Sequence, residues 1–296
     1  MSAGSAVLVR SPHHECVGPH DAPVVVVLGG ISASAHVCAS DADPRPGWWD
    51  NMVGVGRAID TTQYRVVGLD WLESGVASAD GITTHDQADA LAAVLDGLGA
   101  VRIDAIVGAS YGGMVALAFA SRYPDRVQRI VVISAAHRTD AMTAARRSIQ
   151  RDILRLGVRT GSARDAVRIA RALAMTTYRS RAEFAARFHS LEAIESYLHR
   201  LGERFASEVS AARFLALSLS ADLHAVDPES IAVPVTIVAA ANDDVVPRAQ
   251  LVELSERLAG PATLVDLPSI HGHDAFLTEP GALGEILTTA LSNAHR

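Results

Sequence analysis

"IVGASYGGMVALAFA", residues 106–120, sets one serine among small residues directly after an apolar run. Gly108, Ala109, Gly112 and Gly113 surround Ser110, which implies a turn too sharp for larger side chains. "GASYG" (108–112) has the spacing Gly-x-Ser-x-Gly, a pattern that chance alone also produces. Its context gives it weight: a strand is expected before it and a helix after it, the setting of a nucleophile elbow. A serine there stands at a helix N-terminus, where free N–H groups stabilise a developing negative charge. The simpler alternative is a tight strand-to-helix turn with an incidental serine.

Outward from this turn, the chain alternates short apolar runs with helical patterns. The runs are "VVVVL" (24–28), "RVVGLD" (65–70), "IDAIVG" (103–108), "IVVIS" (130–134), "VTIVAA" (235–240) and "ATLVDL" (262–267). Each is nearly continuous in apolar residues, as strands of a parallel sheet covered on both faces must be. "THDQADALAAVLDGLG" (84–99) and "GGMVALAFASRYPD" (112–125) read as helices, the second stopped before Pro124. The fold class is therefore α/β, a mostly parallel, doubly wound sheet. Between about His137 and Leu223 no strand is expected, only helical periodicity broken at Gly157, Gly161 and Gly202. We read 138–222 as a helical cap inserted into a core formed by 1–137 and 223–296. Such a cap lies over the carboxyl ends of the strands, where open sheets bind ligands.

Composition excludes several functions. All 26 basic residues are arginine, so Schiff-base and P-loop lysine chemistry is ruled out. Net charge is −7, yet 138–213 holds 15 arginines against 8 acidic residues, leaving the remainder strongly acidic. That distribution argues against nucleic acid as a partner and leaves room for a local anionic ligand. No apolar run is long enough to span a bilayer, so no membrane partner is expected. The N-terminus lacks the pattern of a secretory signal, and a cytoplasmic location is expected. Cys16 and Cys38 form neither a disulfide framework nor a metal motif, so no metal is expected.

A serine nucleophile needs a base, and the base needs an orienting acid, in the chain order Ser, Asp or Glu, His. "AANDDVVP" (240–247) offers Asp243 or Asp244, and "HGHDAFL" (271–277) offers His271 or His273. Pattern alone does not choose within either pair, and a turn carboxylate is ordinary in itself. "LGGIS" (28–32) follows the first strong strand; a backbone N–H of Gly30 or Ile31 there would join that of Tyr111 in an oxyanion hole.

At this point the chain resembles the MetX-type homoserine O-acyltransferases of the α/β-hydrolase fold. The resemblance rests on "GWWDNMVGVGRAIDTTQYRVV" (47–67), "GASYGGMVAL" (108–117), "ARALAMTTYRS" (170–180), "ESYLHRLGERF" (195–205), "NDDVVP" (242–247) and "GHDAFL" (272–277). "TYRS" and "ESYL" lie in the cap, which generic hydrolases do not share. The resemblance implies Asp243 as the acid and His273 as the base. It also implies that Arg171, Tyr178 and Asp274 bind the amino-acid substrate, the guanidinium taking its carboxylate and the carboxylate its ammonium. Arg171 as a solvated helix residue and Asp274 as a helix cap are the plainer alternatives. A homodimer is implied by the family alone. Tyr111 departs from the methionine usual after the nucleophile, and "WLESGVASADG" (71–81) replaces a longer Gly/Ser-rich stretch.

The expected reaction is ping-pong transfer of a short acyl group from acyl-CoA, a co-substrate, to L-homoserine in methionine biosynthesis, with no bound cofactor. Arg147, Arg151, Arg155 and Arg159 recur every four residues and would form a basic stripe for a phosphate-rich donor. Succinyl, whose extra carboxylate needs a cation or polar partner in the pocket, is slightly favoured over acetyl by the arginine supply and the shortened pattern. The alternatives are L-serine as acceptor, a serine esterase with the same three residues, and a non-catalytic binding protein of this fold.

Overall fold

The computed structural model describes residues 12–73 and 81–292. Most of the distinctive "WLESGVASADG" segment, 74–80, lies outside the described residues. The strands are β1 (His14–Val17), β2 (Val24–Leu28), β3 (Val53–Gly54), β4 (Ile59–Asp60), β5 (Arg65–Leu69), β6 (Ile103–Ala109), β7 (Val127–Ile133), β8 (Val235–Ala240) and β9 (Ala262–Leu267). All but the short β3–β4 pair form one sheet in the order β1-β5-β2-β6-β7-β8-β9. Every pairing in it is parallel except β1 with β5. Burial on both faces explains the apolar runs of β2, β5, β6, β7 and β8, but not that of β9, an edge strand in which only Leu267 is buried. In β2, Val26 and Leu28 enter one core and Val25 and Val27 the other, and β6 divides in the same way. Strand β1, "HECV", was not foreseen. It has no apolar run and belongs to the sheet through its antiparallel ladder with β5.

Two helices reach the strands from the inner half of the chain. These are α1 (Thr84–Gly97), capped by a Thr83–Asp86 capping box, and α2 (Tyr111–Arg122), which leaves β6 at Ser110. Between β7 and β8 the chain is helical: α3 (Ala141–Arg159), α4 (Ala163–Tyr178), α5 (Arg181–Arg187), α6 (Leu191–Glu208) and α7 (Ala211–Asp222). Helices α3, α4, α6 and α7 share their own apolar centre, built by Leu154, Ala166, Val167, Ala170, Phe205, Val209 and Phe214. After β8 come α8 (Arg248–Arg257), α9 (Ala275–Thr278) and α10 (Pro280–Ser292). Among the described residues no helix is long and apolar enough to cross a membrane.

Two of the expected helix breaks are not breaks. Gly157 lies inside α3 and Gly202 inside α6, and both exist for packing. A Cβ on Gly157 would stand 2.2 Å from the Ala166 Cβ, and one on Gly202 2.5 Å from the Arg168 carbonyl oxygen. The two glycines let α3 and α6 approach α4 closely on either side. Only Gly161, at φ +76°, marks a true end, just past α3.

Candidate active site

The elbow is built as its glycines demand. Ser110 joins β6 to α2 at φ 54° and ψ −119°, a region costing roughly 1–3 kcal/mol for a residue with a side chain. A Cβ on Gly108 would lie 2.3 Å from the Gly112 carbonyl oxygen, and one on Gly112 2.3 Å from the Leu28 carbonyl oxygen. The turn is locked by backbone bonds, with Ser110 N–H donating to Ile133 and Gly112 N–H to Gly29.

Tertiary structure separates the pairs that the pattern left open. Ser110 Oγ lies 2.8 Å from His273 Nε2, and His273 Nδ1 lies 2.9 Å from Asp243 Oδ2. The other Asp243 oxygen accepts the N–H groups of Val245 and Val246 at 2.8 and 3.0 Å, so the carboxylate cannot swing away. Asp244, by contrast, is exposed, and among the described residues it contributes only its carbonyl, to Arg146. His271 turns to the cap, with Nδ1 3.2 Å from Glu183. His273 is carried by a squeezed loop. Gly272, at φ +67°, has the Asn242 carbonyl oxygen within 2.9 Å of where a Cβ would sit, and the Tyr178 carbonyl oxygen within 3.2 Å.

Burial pushes the His273 imidazole toward its neutral form, but the Asp243 charge, its hydrogen bond and Asp274 more than offset this and raise the pKa above the usual histidine range. A histidine Cε1–H resonance assigned to His273 should therefore titrate above an ordinary imidazole, and Asp274→Asn should lower the midpoint. A midpoint at or below the ordinary range would contradict this electrostatic picture.

The backbone N–H groups of Tyr111, Gly30 and Ile31 have no acceptor among the described residues, and all three residues line the cavity onto which Ser110 opens. Trp71 Nε1 donates to the Gly30 carbonyl at 2.9 Å and packs edge-on against the Tyr111 ring, steadying both sides of this loop. Tyr111 OH in turn meets Ser220 Oγ of α7 at 2.6 Å, tying the elbow to the cap. The cap also holds the acid and base loops: Thr143 Oγ1 donates to Val245 O at 2.8 Å, and Ser180 Oγ donates to Ile270 O.

The cavity, of about 170 Å³, lies between sheet and cap. Arg171 lines it with its guanidinium between the rings of Tyr178 and Phe205, 5.3 and 4.6 Å from their centroids. It is half-buried and has no carboxylate or hydrogen-bond partner among the described residues. Tyr178 is also a wall residue, its ring 5.4 Å from that of His273. Asp274 faces the same space but is already paired, one oxygen 3.1 Å from Arg179 Nε. Arg179 also reaches Glu183.

The expected arginine stripe is not a surface feature throughout. Arg147 and Arg151 turn inward to share Asp222, while Arg155 and Arg159 remain at the surface. Sequence reasoning missed Gln150 and Arg179 as neighbours of the site, and read Arg147 only as part of that stripe. Alternation within α3 was the one available signal: Thr143, Arg147, Gln150 and Leu154 share a helix face.

Residues 23–280 match the alpha/beta hydrolase fold family. A homoserine O-succinyltransferase of Xanthomonas campestris pv. campestris is 42% identical over 287 residues, covering 94% of this chain and 78% of that protein. A homoserine O-acetyltransferase of Mycobacterium bovis BCG is 30% identical over 321 residues, covering 92% and 85% respectively. The crystal structure of esterase E22 superposes with a TM-score of 0.83 at 20% identity, over 94% of this chain and 93% of its own. That last likeness is one of fold.

Proposed function

The chain belongs to the homoserine O-acyltransferase family of the α/β-hydrolase fold, and on that premise we propose that it moves a short acyl group from acyl-CoA to the hydroxyl of L-homoserine. The observation that carries this reading is the Ser110–His273–Asp243 hydrogen-bond chain at a cavity that also holds an unpaired guanidinium, Arg171. An esterase has no need of that guanidinium.

In the first half-reaction Ser110 Oγ attacks the thioester carbonyl while its proton passes to His273 Nε2. The oxyanion is received by the N–H groups of Tyr111 and of Gly30 or Ile31. The carbon–sulfur bond then breaks, CoA leaves with the proton from His273, and the acyl group remains esterified to Ser110. In the second half the homoserine hydroxyl gives its proton to His273 and attacks the ester. Ser110 departs with that proton and the O-acyl product is released. Asp243 keeps the imidazole in the tautomer that both halves require. The helical cap limits access of water, the competing nucleophile. An activated ester of homoserine is the kind of intermediate that methionine biosynthesis consumes.

Arg171 takes the homoserine carboxylate as a fork, and Asp274 takes the ammonium with the oxygen that is not ion-paired to Arg179. Arg171→Met should raise the homoserine KM roughly 10- to 100-fold with only a modest loss of thermal stability, since the side chain gives up its place over two rings but no hydrogen bond. A variant with unchanged homoserine KM would remove Arg171 from acceptor binding. A homodimer belongs to the same reading. Met142, Ile149 and Leu156 stand exposed at seven-residue intervals on α3, an apolar face suited to a second copy. Light scattering should give twice the chain mass, and a monomer at micromolar concentration would contradict it.

The test is to follow thiol release from acetyl-CoA or succinyl-CoA with and without L-homoserine and to weigh the product. Release that depends on homoserine and yields its O-acyl ester supports transfer. Release without homoserine means a thioesterase, preference for L-serine changes the acceptor, and simple ester cleavage without either co-substrate means an esterase.

A further inference from the structure

The inward face of α3 carries more charge and polarity than the reaction described so far uses. Arg147 and Arg151 share one carboxylate. Arg147 Nε lies 2.6 Å from Asp222 Oδ1, and Arg151 Nη1 lies 2.5 Å from Asp222 Oδ2. Arg147 Nη2 donates to Thr139 Oγ1 at 2.6 Å, and Arg151 is further held by Ser218. One positive charge is thus left over in a part of the cap where both guanidinium groups are largely buried. Arg147 Nη1 has no partner among the described residues, and Arg147 lines the cavity.

One turn along, Gln150 lines the same cavity and is only 3% exposed, yet its side-chain amide makes no hydrogen bond among the described residues. The Gln150 amide is therefore open to the cavity, and the surplus positive charge beside it is held where solvent screens it little. Neither feature helps the fold. Both are relieved by an anion entering from the cavity.

Homoserine cannot be that anion as well as the ligand of Arg171, because it has one carboxylate. We propose that Arg147 and Gln150 receive a second carboxylate, at the far end of the acyl group, so that the donor is the CoA thioester of a short dicarboxylic acid such as succinate. The inference rests on the acyl-transfer reading and refines it. The cavity then balances its occupants: Arg147 meets the acyl carboxylate, Arg171 the amino-acid carboxylate and Asp274 the ammonium. Asp222 and Thr139 act as positioning residues that fix the plane of the Arg147 guanidinium, and Arg151 keeps Asp222 in place from behind.

The test compares wild type, Arg147→Met and Gln150→Leu with succinyl-CoA and acetyl-CoA at several homoserine concentrations. The succinyl-to-acetyl ratio of kcat/KM should fall about 100-fold in Arg147→Met, the size of a lost charge-assisted contact, and about 10-fold in Gln150→Leu. The homoserine KM should not follow. Gln150→Leu breaks no side-chain hydrogen bond, so it reports even if Arg147→Met does not fold. A ratio that stays constant in both variants, a wild type that prefers acetyl-CoA, or a rise in homoserine KM would overturn the proposal. If wild type transfers neither group while a fluorophosphonate still labels Ser110, the acyltransferase reading itself fails and the subsite falls with it.

Discussion

Asp243→Asn should lower the transfer rate about ten-thousand-fold while leaving the protein folded. The size of the effect follows from how Asp243 is held. Its Oδ1 accepts two backbone N–H groups, from Val245 and Val246, so an asparagine must keep its carbonyl oxygen there. The amide NH2 is then directed at His273 Nδ1, which can only respond as an acceptor. The ring proton moves to Nε2, the nitrogen 2.8 Å from Ser110 Oγ, and the base that should take the serine proton is gone. Geometry and bulk are conserved, so thermal stability should change far less than activity. A variant retaining more than about a tenth of the wild-type rate would mean that Asp243 does not set the tautomer.

Gly112→Ala should damage both fold and activity. The new Cβ would stand 2.3 Å from the Leu28 carbonyl oxygen and 2.5 Å from its carbon, both backbone atoms at the end of a central strand. Neither can yield without moving β2 or the first turn of α2. Gly112 N–H also donates to Gly29 at 2.9 Å, so the shift would pass into the Gly30–Ile31 loop. Destabilisation of about 3 kcal/mol is expected, together with loss of activity in whatever remains folded. Gly97→Ala is the control. Gly97 ends α1 with nothing within 4 Å of an added Cβ, so that change should be neutral or slightly stabilising. Equal melting temperatures for the two variants would contradict the packing account of the elbow.

The sequence made the central strands and the serine turn legible for the same physical reason. Strands covered on both faces must be apolar throughout, and a backbone forced together at Gly108 and Gly112 admits no Cβ. Both constraints are local and leave their mark in residue type. Strand β1 left none, because it owes its place to a partner strand rather than to a buried face. Gly157 and Gly202 misled for a related reason: a glycine needed where two helices cross looks, in sequence, like one that ends a helix.

The choice between Asp243 and Asp244, and between His271 and His273, rests on the local fold of the acid loop and on contacts distant in the chain. Val245 and Val246 hold one acid, and Glu183 of the cap draws away one histidine. The arginine stripe failed through geometry. Four-residue spacing advances about 400° around a helix, so three steps turn the row by roughly 120°. Arg147 and Arg151 consequently face inward and Arg159 faces out. The polar lining at Gln150 could not be foreseen, since an uncharged residue on a cap helix becomes informative only when its burial is known.

The most direct measurement is the mass of the intact protein after incubation with acyl-CoA in the absence of any acceptor, followed by peptide mapping. One acyl group on the peptide containing Ser110, absent in Ser110→Ala and discharged to O-acylhomoserine when L-homoserine is added, is the result expected. Homoserine-dependent release of CoA with no acylated protein, or an adduct that persists in Ser110→Ala, would contradict the acyl-enzyme on Ser110.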